Sequence, residues 1–156
     1  MDQELRDSLI HIVELPKKEK IALAKNALED IARDMKAHEL GDDDILYIMT
    51  AIPKVFIEAK GVVNDEQYHL FMAITGLAES NLSLENFLLL MKLHDNMHLY
   101  DAGYTAIKEL LNVPIKLNAI MYGVIIASYD EEINDEQIDL IAKILGPKLS
   151  GEEKPN

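Results

Sequence analysis

The sequence predicts an all-α protein, a single-domain bundle of seven or eight helices with an internal pseudo-duplication. Three observations support this prediction. Apolar residues recur at helical spacing along most of the 156-residue chain. Glycine and proline are scarce, and no segment alternates apolar and polar residues as a half-buried strand would. A segment of the chain also occurs twice, which predicts one helical unit used twice.

The two copies of this segment are residues 61–76 and 131–146, so they are offset by 70 residues. Seven of the sixteen aligned positions are identical, including the run Asn-Asp-Glu-Gln at 64–67 and 134–137. In each copy an asparagine in the N-cap position precedes a glutamine by three residues, which is a capping-box arrangement. Helix capping explains most of the shared residues. We therefore expect the repeat, over residues 58–76 and 128–146, to indicate the architecture of the protein more clearly than its activity.

Before the first copy, breaker residues divide the chain into three predicted helices. Leu15 and Pro16 separate the first two, because proline disfavours helix at the preceding residue and suits the first turn of the next. Gly41 ends the second helix. Pro53 lies inside the strongly apolar third helix and is expected to kink or divide it. The predicted ranges are about Gln3 to Glu14, about Lys17 to His38 and about Asp43 to Ala59.

The second half of the chain predicts five further helices. They run from Asp65 to Gly76, from Ser83 to about Met97, from about Asp101 to Leu111, from Pro114 to about Ser128, and from Asn134 to the stop signal Gly146-Pro147. The expected core consists of the apolar segments Ile45–Ile57 and Ile115–Ala127, packed against Tyr68–Ile74 and Ile138–Leu145. Residues 1–40 are expected to pack on a core of residues 41–149, and residues 150–156 to form a flexible tail of the same globular domain.

Composition excludes several functional classes. A formal charge of −13 argues against nucleic acid and anionic membranes as partners, because both require a positive surface. The absence of cysteine excludes disulfides and thiolate chemistry. Neither a signal peptide nor an apolar run long enough to span a bilayer is visible, so we expect a cytoplasmic protein without direct membrane insertion. Cations, basic partner proteins or solubility remain as roles for the acidic surface.

The repeat resembles the TerB family of bacterial proteins associated with tellurite resistance and stress. That family shows an apolar helix, the sequence Ala-Asp-Gly-Glu-Ile-Ser-x-Glu-Glu and a second apolar helix, twice in an acidic helical protein. The copy Asp130-Glu131-Glu132-Ile133-Asn134-Asp135-Glu136 matches except that Glu131 replaces the glycine. The copy Lys60-Gly61-Val62-Val63-Asn64-Asp65-Glu66 keeps the glycine but has Lys60 in place of the aspartate.

The resemblance covers about residues 41–146 and implies a non-enzymatic binding or scaffold module. TerB-like domains also occur at the N-terminus of a membrane-anchored DnaJ-type co-chaperone. For this chain we expect a protein partner. The family is suspected of using its acidic loops for divalent cations or partners. For this chain the resemblance therefore implies an interaction site that includes residues 130–136, with a response to a divalent cation.

The acidic second loop is the best candidate for a metal site. Calcium and magnesium take several oxygen ligands, and this loop supplies carboxylates. It is not an EF-hand, because Asp135 and Ile141 stand where the glycine and the bidentate glutamate are required. The alternative is a solvated loop whose acids stabilise a helix N-terminus. The predicted ligands are Asp130, Glu132, Asp135, Glu136 and Glu66.

Two further functional classes are kept open. A metal-dependent hydrolase could be built from Glu58, Glu66, Asp130 and Glu136, if these helix ends converge. His94 and His98, four residues apart, have a spacing that can chelate zinc on one helix face, but surface histidines near a helix end are the simpler explanation. A structural or oligomerising protein would expose an apolar patch at residues 88–93. Methionine and aromatic side chains, Met97 among them, are expected in the core.

Overall fold

The structure, a computed structural model, describes residues 3–150, with side chains for residues 3–146. Within this range the protein consists of eight α-helices and one π-helical turn, and it contains no strand. The predicted all-α class is confirmed. The helices are α1 (Gln3–Val13), α2 (Lys17–Ala37), α3 (Asp42–Lys60), α4 (Asp65–Thr75), α5 (Leu84–Met91), α6 (Met97–Thr105), α7 (Val113–Ala127) and α8 (Asp135–Ser150), and the π-helical turn is Ala106–Leu110.

The two copies of the repeat form the same local structure. The amide of Gln67 donates to Asn64 Oδ1 over 3.1 Å, and the amide of Asn64 donates to Gln67 Oε1 over 3.0 Å. Asn134 and Gln137 exchange the corresponding bonds at 2.9 and 3.0 Å. Residues 61–74 and 131–144 also share the same succession of buried, half-buried and exposed side chains at every position. The predicted capping boxes are confirmed, and the duplication extends to burial.

Helix packing follows the same duplication. The two apolar helices α3 and α7 pack against each other at the centre. Each repeat then packs its flanking helices on the central helix of the other: α2 and α4 contact α7, whereas α6 and α8 contact α3. Helix α1 also packs on α7, and α5 packs on α4 and α3. These contacts place α2 in the first repeat where α6 stands in the second.

Two glycines allow the central helices to approach their neighbours closely. A Cβ atom on Gly123 of α7 would overlap the ring of Phe56 on α3, and one on Gly103 of α6 would overlap the carbonyl of Ala51 on α3. Phe56 and Ala51 are fully buried. Because interiors are close-packed, these positions require the absence of a side chain.

Pro53 does not divide α3, which contradicts one of the two predicted outcomes. A proline has no amide hydrogen, so the Met49 carbonyl four residues earlier loses its helical donor. The buried Tyr122 hydroxyl of α7 donates to that carbonyl over 2.7 Å. Burial raises the pKa of Tyr122, which keeps this phenol protonated as a donor. The neighbouring helix therefore compensates for the proline.

Helix boundaries differ from prediction between residues 92 and 111. Helix α5 ends at Met91, and residues 92–96 form a loop in which His94 and Asn96 have left-handed backbone conformations (φ +64° and +52°). The placement of His94 and His98 on one helix was therefore wrong, since α6 begins only at Met97. In α8, Gly146 leaves helical geometry (φ +79°, ψ 169°) at the predicted stop. Of the predicted tail, residues 151–156 lie outside the described residues.

Candidate functional site

The two acidic loops meet through one salt bridge that joins equivalent positions of the repeat. Lys60 Nζ lies 2.7 Å from Asp130 Oδ1 and donates to the carbonyl of Glu132 over 2.9 Å. Lys60 and Asp130 are separated by the 70-residue repeat offset. The Lys60 side chain is only 7% exposed, so the loops are closed over its ammonium group. The lysine that departs from the TerB-like pattern thus supplies a positive charge to the second loop.

The environment of Asp130 favours its ionised form. Burial acts to raise the pKa of Asp130, but the hydrogen bond and charge of Lys60, together with the amide of Glu132, lower it below its ordinary value. Asp130 therefore remains a carboxylate paired with an ammonium group. This pairing occupies an oxygen that a divalent cation would require.

The other predicted metal ligands do not gather around Asp130. Among the described residues, no group of three or more Asp, Glu and His side chains is placed to hold a metal ion. The Asp135 side chain is 87% exposed and lies 3.9 Å from Arg6 Nη2. Glu136 and Glu66 line two separate cavities. The calcium or magnesium site stays a prediction without geometric support.

A groove of about 620 Å³ lies between the C-terminal end of α3, the helix α6 and the start of α8. Four carboxylates line it, against the single lysine that the described lining contains. Its lining residues are Glu58, Ala59, Met97, Tyr100, Asp101, Tyr104, Glu136, Asp139, Leu140 and Lys143. We call this cavity the acidic groove.

The first repeat has a smaller and differently charged cavity at the corresponding place. Glu66, His69 and Leu70 of α4 line it, and they are the equivalents of Glu136, Asp139 and Leu140. Its volume is about 160 Å³, and Lys17 and Lys20 of α2 form its other side. Lys20 is buried and donates to the Val13 carbonyl over 3.0 Å. We call this cavity the first-repeat cavity. Its lining combines the acid Glu66 of α4 with the two lysines of α2.

In the acidic groove, α6 contributes aromatic rings and an acid instead of lysines. Tyr100 and Tyr104, one turn apart, have ring centroids 6.2 Å apart and nearly parallel planes, 8° from each other. Burial, with the negative charges of Glu58 and Asp101 and the neighbouring Tyr104, raises the pKa of Tyr100. Both phenols are half-buried. The groove therefore combines an aromatic wall with a negative field.

Glu58 anchors one side of the groove through a buried ion pair. Lys54 Nζ, which is fully buried, lies 2.7 Å from Glu58 Oε2 and donates over 2.7 Å to the carbonyl of Lys92. The amide of His94 donates to the same carboxylate at 3.0 and 3.1 Å. Because Glu58 has these partners, the carboxylates exposed to a ligand are those of Asp101, Glu136 and Asp139.

The structure separates the acids of the hydrolase hypothesis. Glu58 and Glu136 line the acidic groove, Glu66 lines the first-repeat cavity, and Asp130 is paired with Lys60. Of the apolar patch expected at residues 88–93, one leucine is largely exposed. Leu89 is 57% exposed, but Met91 is buried and the remaining leucines are half-buried.

Comparisons with protein-family models, with curated proteins and with solved structures found no match for this chain. No helix of the described residues is both long and apolar enough to cross a membrane.

Sequence reasoning identified Glu136 and Glu58 of the acidic groove and missed its α6 wall. Met97 was expected in the core, yet it is 43% exposed and lines the groove. The spacing of Met97, Tyr100, Asp101 and Tyr104 on one helical face was the available signal. The predicted helix from Ser83 to about Met97 includes the loop at residues 92–96, and this boundary separates Met97 from the tyrosines of α6.

Proposed function

We propose that this protein is a non-enzymatic binding module whose acidic groove takes a positively charged segment of a partner protein. One observation carries the proposal: three exposed carboxylates face a 620 Å³ groove in the second repeat, where the first repeat has a cavity of 160 Å³ lined by lysines. From the family resemblance, we further propose that the protein is a cytoplasmic, TerB-like scaffold associated with stress.

The size and charge of the groove support a protein ligand with basic side chains. Its volume lies within the range of about 300–1,000 Å³ that is usual for small-molecule sites, so it can take individual side chains of a partner. The net charge of −13 would attract a basic partner and repel acidic competitors. Glu136 belongs both to the groove and to the acidic loop at residues 130–136 that the family resemblance implicates.

A matched pair of double variants tests this proposal. Glu136→Gln with Asp139→Asn removes two groove carboxylates, whereas Asp43→Asn with Asp44→Asn removes two exposed acids from the start of α3. The total charge changes equally, so long-range attraction is matched. The probe is a short, capped, soluble peptide rich in lysine and arginine, and the readout is isothermal titration calorimetry at low ionic strength.

The groove variant should bind the peptide roughly tenfold more weakly than the natural chain, because two carboxylate contacts of up to about 1 kcal/mol each are removed. The α3 variant should change the affinity by less than about twofold, since it acts only through screened long-range charge. Equal weakening by both variants would show that the peptide responds to the overall negative charge of the surface and not to the groove. Failure of the natural chain to bind the peptide would contradict the proposal outright.

A further inference from the structure

We propose that the group recognised in the acidic groove is the guanidinium of an arginine side chain, stacked on Tyr100 and paired with the carboxylates beside it. This inference rests on the proposed function and specifies its chemistry. It is carried by the tyrosine pair of α6, by the charges that surround the pair, and by the different shapes of guanidinium and ammonium groups.

The chain itself places a cation on this tyrosine pair. Lys108 Nζ lies 5.8 Å from the ring centroid of Tyr104, within the distance at which an ammonium is attracted to an aromatic ring. Tyr104 is in turn parallel to Tyr100. Tyr100 lines the groove and, among the described residues, has no such cation contact of its own. A ligand cation can therefore add to an aromatic stack that already holds one.

Negative charge at Tyr100 strengthens this attraction. Asp101 follows Tyr100 in the chain, and the negative charges of Glu58 and Asp101 both contribute to the raised pKa of the Tyr100 phenol. Across the groove, Glu136 and Asp139 are exposed on α8. A cation on Tyr100 would thus lie between acids of both helices.

The combination of a flat ring and nearby carboxylates favours arginine over lysine. A guanidinium is planar, stacks on aromatic faces and donates a fixed fork of hydrogen bonds to carboxylates. An ammonium is a compact, strongly hydrated charge that gains less from stacking. The groove is also open to solvent and not an enclosed cavity, so a side chain of a partner segment can enter it.

The test compares two capped peptides of identical length and charge, one with arginine and the other with lysine at every basic position. Binding to the natural chain, to Tyr100→Leu and to Tyr100→Phe is measured by calorimetry at one ionic strength. We expect the natural chain and Tyr100→Phe to prefer the arginine peptide by roughly fivefold, because both retain the ring. Tyr100→Leu should bind both peptides through the carboxylates with a smaller preference for arginine, because the stacking contribution is removed and the hydrogen bonds to the carboxylates remain.

The outcomes separate this inference from the proposed function. Equal affinity of the two peptides for the natural chain, with weaker binding of both by the Glu136→Gln, Asp139→Asn variant, would overturn the arginine assignment and keep the acidic groove as a binding site. An arginine preference that is undiminished in Tyr100→Leu would also overturn it. Absence of binding by either peptide to the natural chain would overturn both proposals. Circular dichroism of Tyr100→Phe and Tyr100→Leu verifies that each variant is folded.

Discussion

The two repeats share a helical plan but differ in the helix that precedes the central one. In the first repeat this helix is α2, with 21 residues, and its lysines border a cavity of about 160 Å³. In the second repeat it is α6, with nine residues, followed by a π-helical turn, and it borders the groove of about 620 Å³. The shorter helix and its tyrosines distinguish a candidate binding surface from its more tightly packed counterpart.

This difference shows how a duplicated unit can divide structural and functional roles. The capping residues and the buried positions of α4 and α8 have the same capping-box bonds and the same degree of burial in both copies. Residues that differ between the copies, such as His69 and Asp139, lie on the rims of the two cavities. Substitutions at positions where the two repeats differ therefore test which contacts stabilise each repeat.

The largest effect is expected at the point where the two central helices touch. Gly123→Ala should lower the free energy of unfolding by about 2–3 kcal/mol, because its Cβ would overlap the buried ring of Phe56. Gly41→Ala, at the N-cap of α3 with open space around it, is the control and should cost at most about 1 kcal/mol, the effect of alanine at an N-cap. Urea denaturation measures both, and a Gly123→Ala protein as stable as the control would contradict the close packing of α3 on α7.

The next largest effect concerns Pro53, which lies inside α3, the central helix of the first repeat. Tyr122→Phe should cost about 2 kcal/mol, because the buried Met49 carbonyl loses the donor that replaces the missing amide of Pro53. In a Pro53→Ala background the helix supplies its own donor, so the same change should cost clearly less. A double-mutant cycle of unfolding free energies measures this coupling. Additive costs would mean that the hydroxyl does not compensate for the proline.

A smaller effect separates the two N-caps. Asn64→Ala should cost about 1 kcal/mol, the usual value for losing an N-cap. Asn134→Ala should cost about 1–2 kcal/mol more, because Asn134 Nδ2 also donates to the carbonyls of Ala59 and Lys60 at 3.2 and 3.1 Å. Thermal unfolding of the two variants side by side gives the difference. Equal costs would show that these bonds between repeats add no stability.

The smallest effect concerns the bridge between the acidic loops. Asp130→Asn should cost about 1 kcal/mol near neutral pH, since the Asp130 side chain is one-third exposed and the amide oxygen of asparagine can still accept a hydrogen bond from Lys60. The folded pKa of Asp130 is lowered, so the bridge stabilises the protein fully above the ordinary value of 3.8 and is lost as the pH falls through the folded value. The difference between Asp130→Asn and the natural chain should therefore shrink between about pH 5 and about pH 2. A difference independent of pH would contradict the ion pair.

Much of the fold could be predicted because caps and apolar periodicity are local signals. The capping boxes at Asn64 and Asn134 are instances in which sequence spacing alone determines the hydrogen bonds. The continuity of α3 could not be predicted, because the donor that compensates for Pro53 comes from Tyr122 in the other repeat. The same limit applies to the candidate site. Glu136 followed from its motif, whereas its association with Tyr100 depends on how α6 packs on α3.

The central claim is that the second repeat, and not the first, presents the binding groove, and chemical-shift mapping of the natural chain tests it most directly. An arginine-rich capped peptide is titrated into isotope-labelled protein. The account predicts saturable shifts at Tyr100, Asp101, Glu136 and Asp139, with little change at the equivalent residues Glu66 and His69. Shifts that are centred on the first-repeat cavity, or that are spread evenly over all acidic residues, would contradict it.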